Sequence, residues 1–326
     1  MSFSKGIRIF DPLSYSVPSA SGQTDFWSLT LVTGHLKVNN MIPLKLTIMA
    51  VLWAGGFIVA KVISPQAGPF TITFLRFAAV TVFLAGIIYI QKDRPVFKPA
   101  HWGYALGAAI LGVLSYNYFF MVGIRLVDAG RGSVIISTVP VAVAMFSHLF
   151  QREKISPLKA AAFVVSMVGA CIVISHGRWE LIAGSGMGRG EFYFVLCVLC
   201  AAAFALFSKA MLKDLSPMAT MAFVSGVGAA FSVIPAALEI HSMPIPWGSL
   251  TFLSGLMYLA IGPSVIAVIF YYQAMNKIGA ARASQYMNLI PVFAIIFGMI
   301  FLGERMTTSL LVGGGLVTLG LYLAHT

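Results

Sequence analysis

The sequence predicts an all-α integral membrane fold, ten transmembrane helices arranged as two inverted five-helix repeats. Three observations carry that expectation. The 326 residues are 59% hydrophobic and only 10% charged, whereas a soluble domain is about a quarter charged; so few charges cannot cover a water-facing surface. Apolar runs near the roughly 20 residues that cross a hydrocarbon core recur along the chain. One stretch also occurs twice: Ala129, Arg131, Ser133, Pro140, Val141, Phe146, Phe150 and Glu153 return 151 positions later as Ala280, Arg282, Ser284, Pro291, Val292, Phe297, Phe301 and Glu304. A repeat of this length in an apolar chain points to a duplicated bundle with an interface between the copies.

Taken in order, residues 1–43 are polar and lack the apolar segment of a signal peptide; they read as a disordered or weakly amphipathic tail. Met41, directly before the first apolar run, is a second candidate start. Spans are expected at about 44–63, 69–90, 101–123, 129–150 and 157–175, then at about 190–211, 217–238, 248–273, 281–302 and 307–325. Proline-bearing breaks such as Pro65–Pro69, Ser156-Pro157 and Ser216-Pro217 separate several of them. The runs are continuously apolar, without the period-two alternation of barrel strands, so helices are expected.

The repeats therefore cover 44–175 and 190–325, joined by a Gly/Ser linker at 176–189. Lys61 and Pro69 match Lys209 and Pro217 at a shift of 148. Five spans per copy is an odd number, so the second copy must enter the membrane from the opposite face. The linker's Gly184–Gly190 run joins two membrane helices and lacks the spacing of a phosphate cradle.

Charge placement bounds the partners. The net charge is +11, but the basic residues are scattered singly or in short loop clusters, which fits topology signals and argues against a nucleic-acid partner. With the amino terminus inside, 14 basic residues fall on the inner side and 7 on the outer, favouring both termini in the cytoplasm. Cys171, Cys197 and Cys200 lie in apolar runs and read as packing residues. The histidines are scattered at span ends and loops, so neither a metal cluster nor a cofactor is expected.

Charges and polar groups inside spans are the candidates for function, because a mid-bilayer charge costs at least about 2.5–3.5 kcal/mol. Arg76 is the deepest, expected to pair with a helix end or a substrate carboxylate. Lys61 and Lys209 end their spans and fit snorkelling to the headgroups. Pro140 and Pro291 each free a carbonyl one turn earlier and are read as hinges. Glu153 and Glu304 pair with helix ends or serve as gates.

Ser137, Gln285 and Asn288 stand near those prolines, either lining a cavity or bonding between helices. Aromatics supply the rest of a substrate pocket: Trp53 and Phe57, then Tyr116 and Phe120 with Asn117, then Phe204, Tyr258 and Tyr271. Small residues at Ala162, Ser166 and Ala170 suit close helix packing, within the chain or in a homodimer seam.

With these residues in place, the chain resembles the drug/metabolite transporter superfamily, in its ten-helix form built from two EamA domains. The matching features are Trp53-Ala-Gly-Gly-Phe57 leading to Lys61, Pro69 through Arg76-Phe77, the two Ala-x-Arg-x-Ser…Pro-Val…Glu signatures, and the Gly-rich last span. The likeness covers about 44–325, and the polar amino extension is the departure from it. It implies a bacterial inner-membrane exporter of amino acids or related small metabolites and drugs, working by alternating access on a small-molecule substrate. A membrane-embedded enzyme or a sensor without transport is the competing reading.

Overall fold

The computed structural model describes residues 41–91, 95–151, 156–177, 187–278, 283–284 and 286–325. Among the described residues ten apolar helices follow one another: α1 (Met41–Gln66), α2 (Pro69–Ile90), α3 (Pro99–Leu126), α4 (Ala129–Phe150), α5 (Pro157–Ile174), α6 (Arg189–Met211), α7 (Pro217–Ser242), α8 (Leu250–Met275), α9 (Tyr286–Leu302) and α10 (Thr308–Ala324). Among the described residues there is no strand. The fold class is thus the expected one, all-α and membrane-spanning, in two inverted sets of five.

Helix starts follow local chemistry. Pro69, Pro99, Pro157 and Pro217 sit at first helical positions, where a missing N–H costs nothing. Ser156, Ser216 and Ser249 cap α5, α7 and α8, each accepting a backbone N–H three residues on at 3.2–3.3 Å. Gly303, at φ +66°, ends α9 in the left-handed conformation.

The duplication is visible in the boundaries. Met41 and Arg189, and Pro69 and Pro217, open corresponding helices 148 positions apart; Pro99 and Leu250, and Pro157 and Thr308, stand 151 apart. Packing repeats it as well. α2 packs on α7, α4 on α9 and α5 on α10, while α1 meets α8 and α9 as α6 meets α3 and α4. At the α5–α10 seam a Cβ on Gly169 would lie 2.6 Å from the Gly313 carbonyl, and one on Gly320 2.6 Å from that of Ala162. Ala162, Ser166 and Ala170 are buried at this seam, so of the two readings left open for that stripe the packing within the chain is the one seen.

Where the bilayer offers no water, helix ends need partners. At the Lys61 end of the bundle, cations meet carbonyls and carboxylates meet amides. Lys61 Nζ donates to Val127 O at 2.5 Å. Arg125 donates to the carbonyls of Ser64 and, at 2.9 Å, Ala67, and Arg131 to Val173 O, at the end of α5. Glu304 accepts the first amides of α4, Ala129 N at 2.6 Å and Gly130 N at 3.1 Å. Glu239 of α7 does the same for α2 through Thr71 N, at 2.8 Å. Each charge meets a partner helix end whose dipole favours its sign.

The opposite end carries Lys45–Gln273 at 2.8 Å and Lys98–Asp214 at 3.0 Å. Beside the latter, His101 Nδ1 accepts the Lys98 amide, which leaves Nε2–H to donate to Asp214 at 3.1 Å. Hydrogen bonds from His101 and then Lys98 hold the Asp214 carboxyl below its ordinary pKa.

Candidate functional site

Between the repeats lies a cavity of about 400 Å³, walled by every helix except α5 and α10 and within the usual size of small-molecule sites. Its shape comes from four interruptions of regular helix, paired by the repeat. α3 and α8 each contain a π-helical stretch, Ala109–Ser115 and Gly262–Ile266. α4 breaks into a turn at Ser137–Thr138, and α9 begins as a 3₁₀ turn, Tyr286–Asn288. All four stand against the cavity, as π-bulges at functional sites commonly do.

Wide turns displace backbone hydrogen bonds, and side chains here restore them. Asn117 Nδ2 donates to the carbonyls of Val113 at 2.8 Å and Gly112 at 3.2 Å. Ser264 Oγ donates to Leu259 O at 3.0 Å. The same two side chains hold Arg76. Its Nη2 and Nε donate to Ser264 Oγ at 2.9 and 3.3 Å, and its Nη1 to Asn117 Oδ1 at 3.3 Å. The guanidinium also lies 5.3 Å from the Phe77 ring centroid. Arg76, Asn117 and Ser264 form one polar pole of the cavity.

The repeat equivalents of those three are Val224, Val268 and Val113, and all three valines also line the cavity. The duplicated site has one polar and one wholly apolar version of the same position. Applying the 148 and 151 shifts to Arg76 and Asn117 would have marked Val224 and Val268 from sequence; nothing in the sequence marks Gly112, Pro263 or Met287, which reach the wall through the helix interruptions.

Of the pocket residues expected from sequence, Trp53, Phe57, Tyr116, Asn117, Phe120, Phe204, Ser137 and Asn288 stand in the wall, with Pro140 and Arg76. Trp53 Nε1 donates to Pro263 O at 2.9 Å, fixing its ring across α1 and α8. Gly112 leaves room for the Phe204 ring, which a Cβ there would strike. The Tyr116 ring stacks on Phe120 at 5.9 Å. Ser137 Oγ bonds back to Val134 O at 2.6 Å, whereas the Asn288 amide has no hydrogen-bond partner among the described residues.

Tyr258 and Tyr271 are corrected: neither lines the cavity. Tyr258 donates its hydroxyl to Leu52 O at 3.1 Å, between α8 and α1. Tyr271 lies behind Trp53, ring centroids 5.9 Å apart. Its repeat equivalent Phe120 does reach the wall, because Ala201 stands where the second repeat would match Trp53. Pro291 is buried in α9 outside the wall, unlike Pro140. Glu304 caps α4 as described. Gln285 and Glu153 lie outside the described residues.

Comparison with known proteins agrees with this architecture. The model of the EamA-like transporter family matches residues 40–175 and again 188–326. An uncharacterized transporter of Archaeoglobus fulgidus is 29% identical over 288 residues, covering 88% of this chain and 98% of that protein. The WAT1-related protein At3g02690, chloroplastic, of Arabidopsis thaliana is 25% identical, over 84% of this chain and 66% of its own length. A solved structure described only as a crystal structure of protein superposes with a TM-score of 0.60 at 16% identity, over 87% of this chain and 96% of that one, a likeness of fold alone. With both halves matched by one family model, this chain belongs to the EamA-like transporter family.

Proposed function

We propose that the chain is a secondary transporter that exports amino acids or related small organic metabolites across a bacterial inner membrane by alternating access. One observation carries this reading. The turn inside α4 and the 3₁₀ turn that opens α9 bring repeat-equivalent residues, Ile136-Ser137 and Met287-Asn288, to one cavity at the seam of the repeats. Discontinuous helices at a repeat interface supply polar backbone to a cargo at mid-membrane, and rocking of one repeat against the other exposes it to each side in turn. Pro140 and Pro291 prevent α4 and α9 from closing into continuous ladders, so both serve as hinges.

Both termini lie in the cytoplasm, in keeping with the 14 to 7 division of basic residues. The Lys61 end then faces outward, and Glu304 and Glu239, which tie one repeat to the other there, are the contacts an outward opening has to release.

The test is solute flux in sealed vesicles carrying the purified chain. Outward movement of a chemically unchanged amino acid or metabolite, lost or cut at least ten-fold in Asn288→Ala and Tyr116→Ala, supports the reading. Conversion of the solute to a product, or absence of flux for any solute tried, removes it.

A further inference from the structure

We propose that the cargo is a small carboxylate with an apolar body, bound in a single orientation with its carboxylate on Arg76. The inference rests on the transporter reading above and deepens it by naming the chemistry the cavity selects.

The argument starts from charge. Arg76 faces the cavity, and its three hydrogen bonds go to neutral oxygens, two on Ser264 and one on Asn117. Among the described residues no carboxylate lies within ion-pairing distance of it. Among the described residues each acidic side chain falls in a loop or within a turn of a helix end, so none of them offsets it at mid-membrane. A guanidinium has five N–H donors; with three engaged, two remain for a ligand. A cation held from water beside an open cavity favours an anion there, and the planar guanidinium matches a carboxylate in shape.

Orientation comes from asymmetry. A symmetric cavity would accept a ligand equally in two poses related by the repeat. Here the position equivalent to the Arg76 pole is Val113, Val224 and Val268, where a charged group would lose hydration with nothing in return. The carboxylate therefore has one place and the apolar body the other. A phosphate or a free sugar would leave most of its polar atoms unmatched against such a wall. Tyr116 and Asn288 also line the cavity and offer partners for one further polar group on the cargo.

The test uses a charge series of one shape on the purified full chain: radiolabelled 4-phenylbutyrate, competed by its amide 4-phenylbutyramide and by the cation 4-phenylbutylamine at neutral pH. The carboxylate is expected to bind at least ten-fold more tightly than either competitor. In Arg76→Gln that preference disappears, the carboxylate binding no more tightly than the amide, and Arg76→Lys retains part of it. Should Arg76→Gln fail to fold, the wild-type series and Arg76→Lys decide the matter. Equal binding of all three probes, binding of none, or a full carboxylate preference in Arg76→Gln overturns the proposal. Vesicles that move only solutes without a carboxylate remove this anchor and leave the transporter standing; vesicles that move nothing remove the transporter itself.

Discussion

Arg76, Asn117 and Ser264 on one side, and Val224, Val268 and Val113 on the other, occupy the same places in two copies of one design. Around them the copies agree closely. Both carry a π-helical stretch in the third helix, a break in the fourth and a small-residue seam in the fifth. The scaffold that makes a cavity is duplicated, and the chemistry that fills it is not. Backbone geometry has to match in both halves because they pack on each other about a common axis. Side chains at the cavity wall carry less of that packing, so its two faces are freer to diverge.

The contrast can be broken most severely from within the polar pole. Asn117→Asp puts a carboxylate where an amide oxygen already lies 3.3 Å from Arg76. That internal anion should replace the cargo's and lower carboxylate binding at least ten-fold, while size-exclusion chromatography shows a folded protein. Undiminished binding would mean that Arg76 does not meet the ligand.

The shared scaffold should respond evenly where the pole does not. Gly169→Ala and Gly320→Ala each drive a methyl group to 2.6 Å from a carbonyl across the α5–α10 seam. Each is expected to lower stability by about 1–3 kcal/mol, the usual cost of overpacking, by similar amounts in thermal unfolding in detergent. A large difference between them would show that the two sides of the seam are not equivalent.

Ser264→Ala removes two of the three Arg76 hydrogen bonds and the bond to Leu259 O. Interhelical hydrogen bonds in membranes average about 0.6 kcal/mol and reach about 1.7, so a loss in that range is expected. Val113→Ala, its repeat equivalent, should leave the carboxylate preference unchanged in the binding series above.

The smallest effect belongs to the Lys98–His101–Asp214 cluster at the first turn of α3, where Asp214 lies outside the spans. Its carboxylate pKa is lowered on folding, so its contribution is present above the unfolded value of about 3.9 and is lost as pH falls through the lower folded one. Asp214 is 41% exposed, and solvent screens such pairs. Asp214→Asn should therefore change melting little at neutral pH and flatten only the acid limb of its pH dependence.

Much of the fold was legible because in lipid each helix has to satisfy its own backbone, which makes length, hydropathy and proline position local evidence. The expected spans lie within a few residues of the helices, and the turn before Pro140 and the 3₁₀ turn before Pro291 fall where those prolines disfavour a regular helix. The site was less legible. Trp53, Tyr116 and Asn117 reach the cavity as expected, yet Tyr271 is displaced from it by Trp53, while Phe120 is not displaced because its neighbour is Ala201. A single residue on a different helix decided each outcome.

By itself, then, the sequence determined the number of spans, their inversion and the absence of any mid-membrane acid. Those follow from hydropathy, from an odd repeat and from composition, none of which depends on which residues touch. The tertiary structure alone decided that Ser264 meets Arg76 from 188 positions away and that the π-helical stretches turn Gly112 and Pro263 towards the cavity. The rotation of each helix about its axis is set by its packing partners, and a π turn shifts the face that follows it, which a pattern read along one chain does not register.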